Sequence, residues 1–501
     1  MKEKGFGISF SENPTLRLVA RFYSTASLKN EKILGKIFER ENFKAEKNTA
    51  CYIAEWKGGK RPKAKLDFPQ AFQQKRLLAI GLGDEKLFGI DTLRQAVGFS
   101  IKSARARKAQ ELSIELPKIM HEKFSIDAFA YAAAEASVLA NYVFDKYKTV
   151  ETDRLKKLKK LELAGKISSS GKQNCLQAQK ICDIVNDARF LVDESSCIAT
   201  PSYLSKYIFS ELRKSKVKVT LLNENQIKKL KMNLILAVSR AAEIPPVVVV
   251  AEYNGNPKSK EKTLFVGKGI TYDTGGLDLK PGDSMMTMRS DMAGAAAVFG
   301  LMKSLAETKA KTNVAGVMIF VENLIDTKAY RNGDTLVSMK GLTVEVGSTD
   351  AEGRLILADG LYYGVKKFNP TNVVEYSTLT GSARATFGEH FAAVVSNNDS
   401  LAIKMYEAGQ QTYERVWQLP LTEEYMNELK SEIADLRSTA KLRFNGAIYG
   451  GAFLSKFVEE KPFVHVDIAP TAFLENNEKP YFTKGATGFG IRLGLEFLKK
   501  L

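Results

Sequence analysis

The chain has 501 residues, with 74 Lys and Arg against 57 Asp and Glu, a formal net charge of +17, 44% apolar residues, 4 Cys and only 3 His. This length allows two or three domains with cores large enough to need no staples, and the composition excludes a disordered chain, a collagen and a disulfide miniprotein. His121, His390 and His465 are scattered and none belongs to an H-E-x-x-H helix, so a histidine zinc site is excluded and any metal must be held by carboxylates.

No long apolar segment follows the N-terminal MKEKGFGISFSENP, and the longest apolar runs, such as Val314 to Val321, suit a strand. They are too short to span a bilayer, and a soluble, cytoplasmic protein without membrane contact is expected. Cys51, Cys175, Cys182 and Cys197 form no C-x-x-C pair and read as buried or idle thiols in a reducing compartment.

In chain order, Arg76 to Gly81 reads as a strand, Asp91 to Lys108 as a helix, Leu112 to Leu116 as a strand and Ile126 to Phe144 as an Ala-rich helix. Strands alternating with helices of this length imply βαβ units, hence a small N-terminal α/β domain. The charge lies here: residues 1–170 hold 33 Lys and Arg against 20 Asp and Glu, and the remainder 41 against 37. The runs Lys102 to Lys108 and Arg154 to Lys160 lack interleaved aromatics. They read first as a solvated exterior and second as a DNA-binding surface.

Gly165 to Lys172 (GKISSSGK) is small and polar and reads as a linker, dividing the chain into residues 1–170 and 171–501. A helix from Gln173 to Val192 follows. Apolar strands are then expected at Val247 to Ala251, Leu264 to Val266, Val314 to Val321, Val373 to Tyr376 and Val464 to Ile468, with helices at Ala293 to Ala306 and Leu355 to Lys366. Uninterrupted apolar strands belong to a parallel sheet covered on both faces. The fold class is therefore α/β, with a small N-terminal α/β domain before a larger α/β catalytic domain built on a mainly parallel sheet.

Three polar stretches carry the chemistry. In Val266 to Lys280 (VGKGITYDTGGLDLK) a strand is expected to end at Gly267, placing Lys268 and Asp273 in a glycine-rich loop at its carboxyl end, where open α/β sheets bind ligands. Neither phosphate-loop order, G-x-x-x-x-G-K-[ST] nor G-x-G-x-x-G, occurs here or at Gly81 to Lys86, which argues against a nucleotide site. In Met288 to Ala297 (MRSDMAGAAA), Asp291 taken alone reads as the cap of the following helix. In Gly347 to Ala358 (GSTDAEGRLILA), alternation of Asp350, Glu352 and Arg354 in an extended or turning segment projects all three to one side.

Pooled, these stretches offer four carboxylates, Asp273, Asp291, Asp350 and Glu352, with Lys268, Lys280 and Arg354. Four clustered carboxylates repel one another unless cations neutralise them, and two divalent ions balance four negative charges. Oxygen ligands suit Mg and Mn, and Zn accepts them. Such a site serves peptide hydrolysis and phosphoryl transfer alike, so both remain open at this point.

The segment STDAEGRL at Ser348 to Leu355 resembles the signature NTDAEGRL of the leucyl aminopeptidase (cytosol aminopeptidase, M17) family. The resemblance extends over VGKGITYDTGG (Val266 to Gly276), M-x-x-D-M-x-G-A-A (Met288 to Ala296), RNGD (Arg331 to Asp334), TLTG (Thr378 to Gly381), HVDIA (His465 to Ala469) and ATG (Ala486 to Gly488), all in the family's order. It covers the chain from about residue 173 to the end. It implies a metal-dependent exopeptidase that removes N-terminal Leu and other apolar residues from peptides, acting through water activated by two divalent ions, Mn2+ or Zn2+.

The resemblance further implies that Lys268 and Asp291 hold one ion, Asp350 the other, and Asp273 with Glu352 both. Lys280 and Arg354 match the two catalytic positions, Lys280 facing the developing oxyanion and Arg354 holding a bicarbonate that moves the proton. Substrate contacts fall on Lys280, Met288, Thr378, Leu379, Gly381 and Ala472, and a homohexamer is implied. Three positions depart from the pattern: Ser348 stands for the usual Asn, Pro470 for a common Gly, and Ala472 for a larger pocket residue. His465 reads as structural.

Overall fold

A computed structural model describes residues 6–16, 18–23, 53–56, 76–82, 88–116, 124–150, 156–440, 445–475 and 479–501. Cys51, His121 and most of the Gly81 to Lys86 loop lie outside the described residues. The chain forms two compact units, Met1–Asp183 with Glu478–Thr483, and Ile184–Asn477 with Lys484–Leu501.

Among the described residues, the first unit contains a six-stranded sheet in the order Gly7–Ser11, Lys160–Ala164, Glu111–Glu115, Leu18–Tyr23, Arg76–Gly81, Ile53–Trp56. All neighbours run parallel except the last pair. Helices Ile90–Ala106 and Ile126–Asn141 pack on each other, and each buries small residues, among them Ala96 and Ala104 on the first and Ala132 and Ala136 on the second. Ser125 caps the second helix by accepting from the Ala128 N–H.

The second half of the segment expected to be a linker is the start of a helix. Ser168 accepts from the Gly171 N–H and caps Ser169–Asp193, so the serines initiate a helix where their composition suggested flexibility. Cys175 and Cys182 are buried on this helix, whereas Cys197 is exposed.

The second unit is built on an eight-stranded sheet in the order Val416–Gln418, Ala392–Ser396, Phe463–Asp467, Asn372–Ser377, Thr263–Asp273, Asn313–Asn323, Val247–Asn254, Lys218–Leu222. Its centre is parallel. Antiparallel pairs join Ala392–Ser396 to Phe463–Asp467, and Val247–Asn254 to both of its neighbours. All five strands expected in this region occur, as do the helices, now bounded as Ala293–Thr308 and Glu352–Phe368.

Period-2 alternation along Thr263–Asp273 decides which residues meet which helix. Gly267 faces the start of Ala293–Thr308, where a Cβ would lie 2.6 Å from the Gly294 carbonyl oxygen. Leu264, Val266 and Lys268 point to the opposite face, beneath Gly364, Gly360 and Gly353 of the Glu352–Phe368 helix. Two of the three are apolar and join the core around Ile319, Leu355 and Leu361, each such side chain contributing about 1.5–3 kcal/mol. The third in the row is a lysine.

Candidate functional site

The strand that carries Lys268 does not end at Gly267. It continues to Asp273 because Asn313–Asn323 pairs along its whole length, with Ile319 opposite Lys268 and Asn323 opposite Asp273. Lys268 is therefore a mid-strand residue, 2% exposed, and only the turn after Asp273 is a glycine loop. Gly275 and Gly276 have φ of +86° and +65°, which reverse the chain and bring Lys280 back over Asp273.

Asp291 does not cap a helix. It lies in a 3-10 turn, Met288–Met292, and the following helix has no side-chain cap. Its Oδ2 is 2.9 Å from Lys268 Nζ, and its Oδ1 accepts from Thr378 Oγ1 at 2.7 Å. The segment of Asp350, Glu352 and Arg354, expected to be extended or turning, does turn at Thr349–Ala351, a 3-10 turn, but Glu352 already opens the helix. The helical rise separates their roles. Asp350 and Glu352 join Asp273, each bringing one carboxylate oxygen within 4.8 Å of the others. Arg354 turns aside, Nη1 donating to the Ser438 carbonyl at 2.7 Å while the guanidinium lies 5.7 Å above the Tyr449 ring.

Two ammonium groups lie among the four carboxylates. Lys268 Nζ is 2.8 Å from Glu352 Oε1 and also donates to the Thr378 carbonyl at 3.1 Å. Lys280 Nζ is 2.5 Å from Asp350 Oδ1 and 2.9 Å from Asp273 Oδ2. Burial disfavours both ammonium ions, but the surrounding carboxylates outweigh it and hold both above the ordinary lysine value.

The carboxylates respond unequally. Burial raises Asp273 and Asp291, and burial with the neighbouring Glu352 pushes Asp350 up to about 6. Glu352 is also buried, yet Lys268 and Lys280 hold it below the usual carboxylate range.

These residues fit divalent cations. The two ammonium groups leave two of the four negative charges formally unbalanced, and Glu352 Oε2 is buried without a hydrogen-bond partner. Buried anionic oxygens without donors are the environment that a hard cation satisfies.

The supporting residues were not legible in the sequence. Asn323 Nδ2 donates to Asp273 Oδ1 at 2.8 Å and to the Thr349 carbonyl at 3.1 Å, and Tyr330 Oη donates to the same carbonyl at 2.7 Å. Asp467, fully buried, accepts from the Leu379 N–H at 3.0 Å and Thr380 Oγ1 at 2.6 Å, holding the loop whose Thr378 grips Lys268 and Asp291. His465 is buried in its strand with Nδ1 2.5 Å from Glu375 Oε2. Of the expected substrate contacts, Thr378 reaches the cluster and Leu379 packs beside Gly450 near Arg354. Met288 is half-buried, Gly381 is exposed, and Ala472 is buried at 3% exposure; the structure places none of the three in polar contact with the carboxylates.

Residues 186–494 match the model of the cytosol aminopeptidase family, catalytic domain, and residues 26–151 that of the family's N-terminal domain. A probable cytosol aminopeptidase of Chlamydia trachomatis serovar A is 37% identical over 478 residues, 94% of each chain. Another, of Protochlamydia amoebophila, is 36% identical over 450 residues, covering 88% of this chain and 89% of that protein. Among solved structures, the bottromycin maturation enzyme BotP in complex with Mn is 26% identical with a TM-score of 0.83, covering 97% of this chain and 99% of that one.

Proposed function

Because the chain belongs to the cytosol aminopeptidase family of metallo-exopeptidases, we propose that it releases Leu and other apolar residues from peptide N-termini with two divalent ions. The observation that carries this reading is the meeting of Asp273, Asp350 and Glu352 beside Lys268 and Lys280, all but Asp350 buried or half-buried. Lys268 and Asp291 would hold one ion, Asp350 the other, with Asp273 and Glu352 contributing to both. Mn2+ is supported by the metal named with BotP, and Zn2+ by the same donor set. When bound, the ions would acidify a water and polarise the scissile carbonyl.

The chain's own groups supply the rest. Lys268 must shed its ammonium proton before its nitrogen can act as a ligand, since an ammonium has no lone pair. Lys280 is fixed by Asp273 and Asp350 and directs positive charge at the oxygen that becomes anionic. Arg354 remains cationic and has a buried Nε without a partner, which suits it to hold a bicarbonate that carries the proton. Met288, Thr378, Leu379, Gly381 and Ala472 would line the substrate's path, and the small Ala472 would widen the side-chain pocket. A homohexamer is proposed with the family, to be checked by light scattering. The basic residues 1–170 serve assembly or DNA contact in this reading.

The test is release of leucine from a leucyl peptide, compared with its N-acetylated form, after chelation, after return of Mn2+, and in Glu352→Ala. Activity should vanish on chelation, return with Mn2+, and be absent for the blocked peptide and the variant. Cleavage of the blocked peptide, or full activity in the variant, would overturn the assignment.

A further inference from the structure

Thr349, the residue before Asp350, has every polar group engaged. Its N–H donates to Asp278 Oδ2 at 3.2 Å and Asn332 Oδ1 at 3.1 Å. Its Oγ1 donates to the Gly275 carbonyl at 2.7 Å and accepts from the Asp278 N–H at 2.8 Å. Its carbonyl accepts from Tyr330 and Asn323. Three segments distant in sequence, at 274–280, 330–334 and 347–352, are joined through it.

Asp278 is the charged centre of this junction. Asn332 Nδ2 donates to both of its oxygens, at 2.8 and 3.0 Å, and Ser348 Oγ donates to Oδ2 at 2.5 Å. The Ser348 oxygen in turn accepts from the Asp350 N–H at 3.1 Å. Asp278 stands two residues before Lys280, and Ser348 two before Asp350, so the junction grips the two chain segments whose side chains pair at 2.5 Å. A charge-assisted hydrogen bond of this kind is stronger and more directional than a neutral one.

Resting on the metal-site reading above, we propose that Asp278, Asn332 and Ser348 are positioning residues that set Asp350 and Lys280 for cation binding. In this clamp Asn332 holds both Asp278 oxygens through its amide, and the Ser348 hydroxyl donates to Asp278 while accepting from the Asp350 N–H. None of the three touches the carboxylate oxygens of Asp273, Asp350 and Glu352, so they act through those residues. Partners of this outer kind typically alter metal affinity 10–100-fold.

The experiment is calorimetric titration of the whole ion-free chain with Mn2+, with kcat and KM measured on a leucyl peptide. Asp278→Asn replaces one of the two acceptor oxygens with a donor that faces donors, and Ser348→Ala deletes the hydroxyl; each should weaken Mn2+ binding by about 10–100-fold. The double change Asp278→Asn with Asn332→Asp exchanges amide and carboxylate across the same contact and should recover most of the affinity. A purely structural role would lower the melting temperature of the ion-free chain equally in both single variants and the double one without a specific loss of Mn2+ affinity. Wild-type affinity in both single variants, or no recovery in the double variant, would overturn the clamp. Glu352→Ala separates the two levels: retained Mn2+ binding there removes the metal site itself, and the clamp with it.

Discussion

Gly353 faces Lys268 so closely that a Cβ on it would lie 2.8 Å from Lys268 Nζ and 2.7 Å from Cε. The helix carrying Glu352 can approach the strand carrying Lys268 only because no side chain intervenes, and this approach brings the ammonium to Glu352.

Gly353→Ala should therefore displace a buried ion pair rather than fill a void. Overpacking of this kind costs about 1–3 kcal/mol. Urea unfolding of the ion-free chain should show that loss, and leucyl-peptide hydrolysis should fall with it; unchanged stability and activity would contradict the packing described.

Asp467 should act on substrate handling from a distance. It holds the Leu379 N–H, the Ala469 N–H and the Thr380 hydroxyl. Its removal leaves these donors facing an empty site, at about 1–3 kcal/mol for each that finds no water. Asp467→Ala should lower kcat/KM about tenfold, equivalent to ~1.4 kcal/mol, with Asp467→Asn milder because one oxygen remains. Steady-state kinetics on a leucyl peptide decide this.

Asp359 gives a stability effect with a defined sign. It is fully buried on the Glu352–Phe368 helix, and accepts from the N–H groups of Leu234 and Ile235 through Oδ2 and of Met339 through Oδ1. Burial pushes it up to about 7 despite these donors. A carboxyl raised in the folded state holds its proton there while the unfolded chain has lost it, so stability falls as pH rises from about 4 to about 7, by at most ~1.4 kcal/mol per unit. Urea unfolding across this range should show wild type losing stability relative to Asp359→Asn, with the difference level above pH 7. A difference that is flat from 4 to 7 would refute the assignment.

The parts of this molecule that follow from neighbours in the chain were legible in the sequence. Apolar runs long enough for buried strands, small-residue helices and charged residues clustered after them announced both the α/β class and Asp273, Asp291, Asp350 and Glu352 as the acidic set. Local pattern misled where pairing or packing from elsewhere decided the outcome. Lys268 was expected in a loop, yet Asn313–Asn323 extends its strand past it. Asp291 had the context of a helix cap, yet Lys268 and Thr378 claim its oxygens.

Period and composition report on residues a few positions apart, and so they determined which elements form and which of their faces are buried. They carry no signal for contacts such as Asn323 with Asp273, Asp278 with Ser348, or Arg354 with Ser438, which span 50, 70 and 84 positions. Those contacts arise when the sheet assembles and helices close on it. The sequence by itself determined the chemical groups available for a cation site; only the tertiary structure decided that Lys268 and Lys280 share the four carboxylates while Arg354 is held apart by Ser438 and Tyr449, because a desolvated charge takes whichever partner the packed fold leaves within reach.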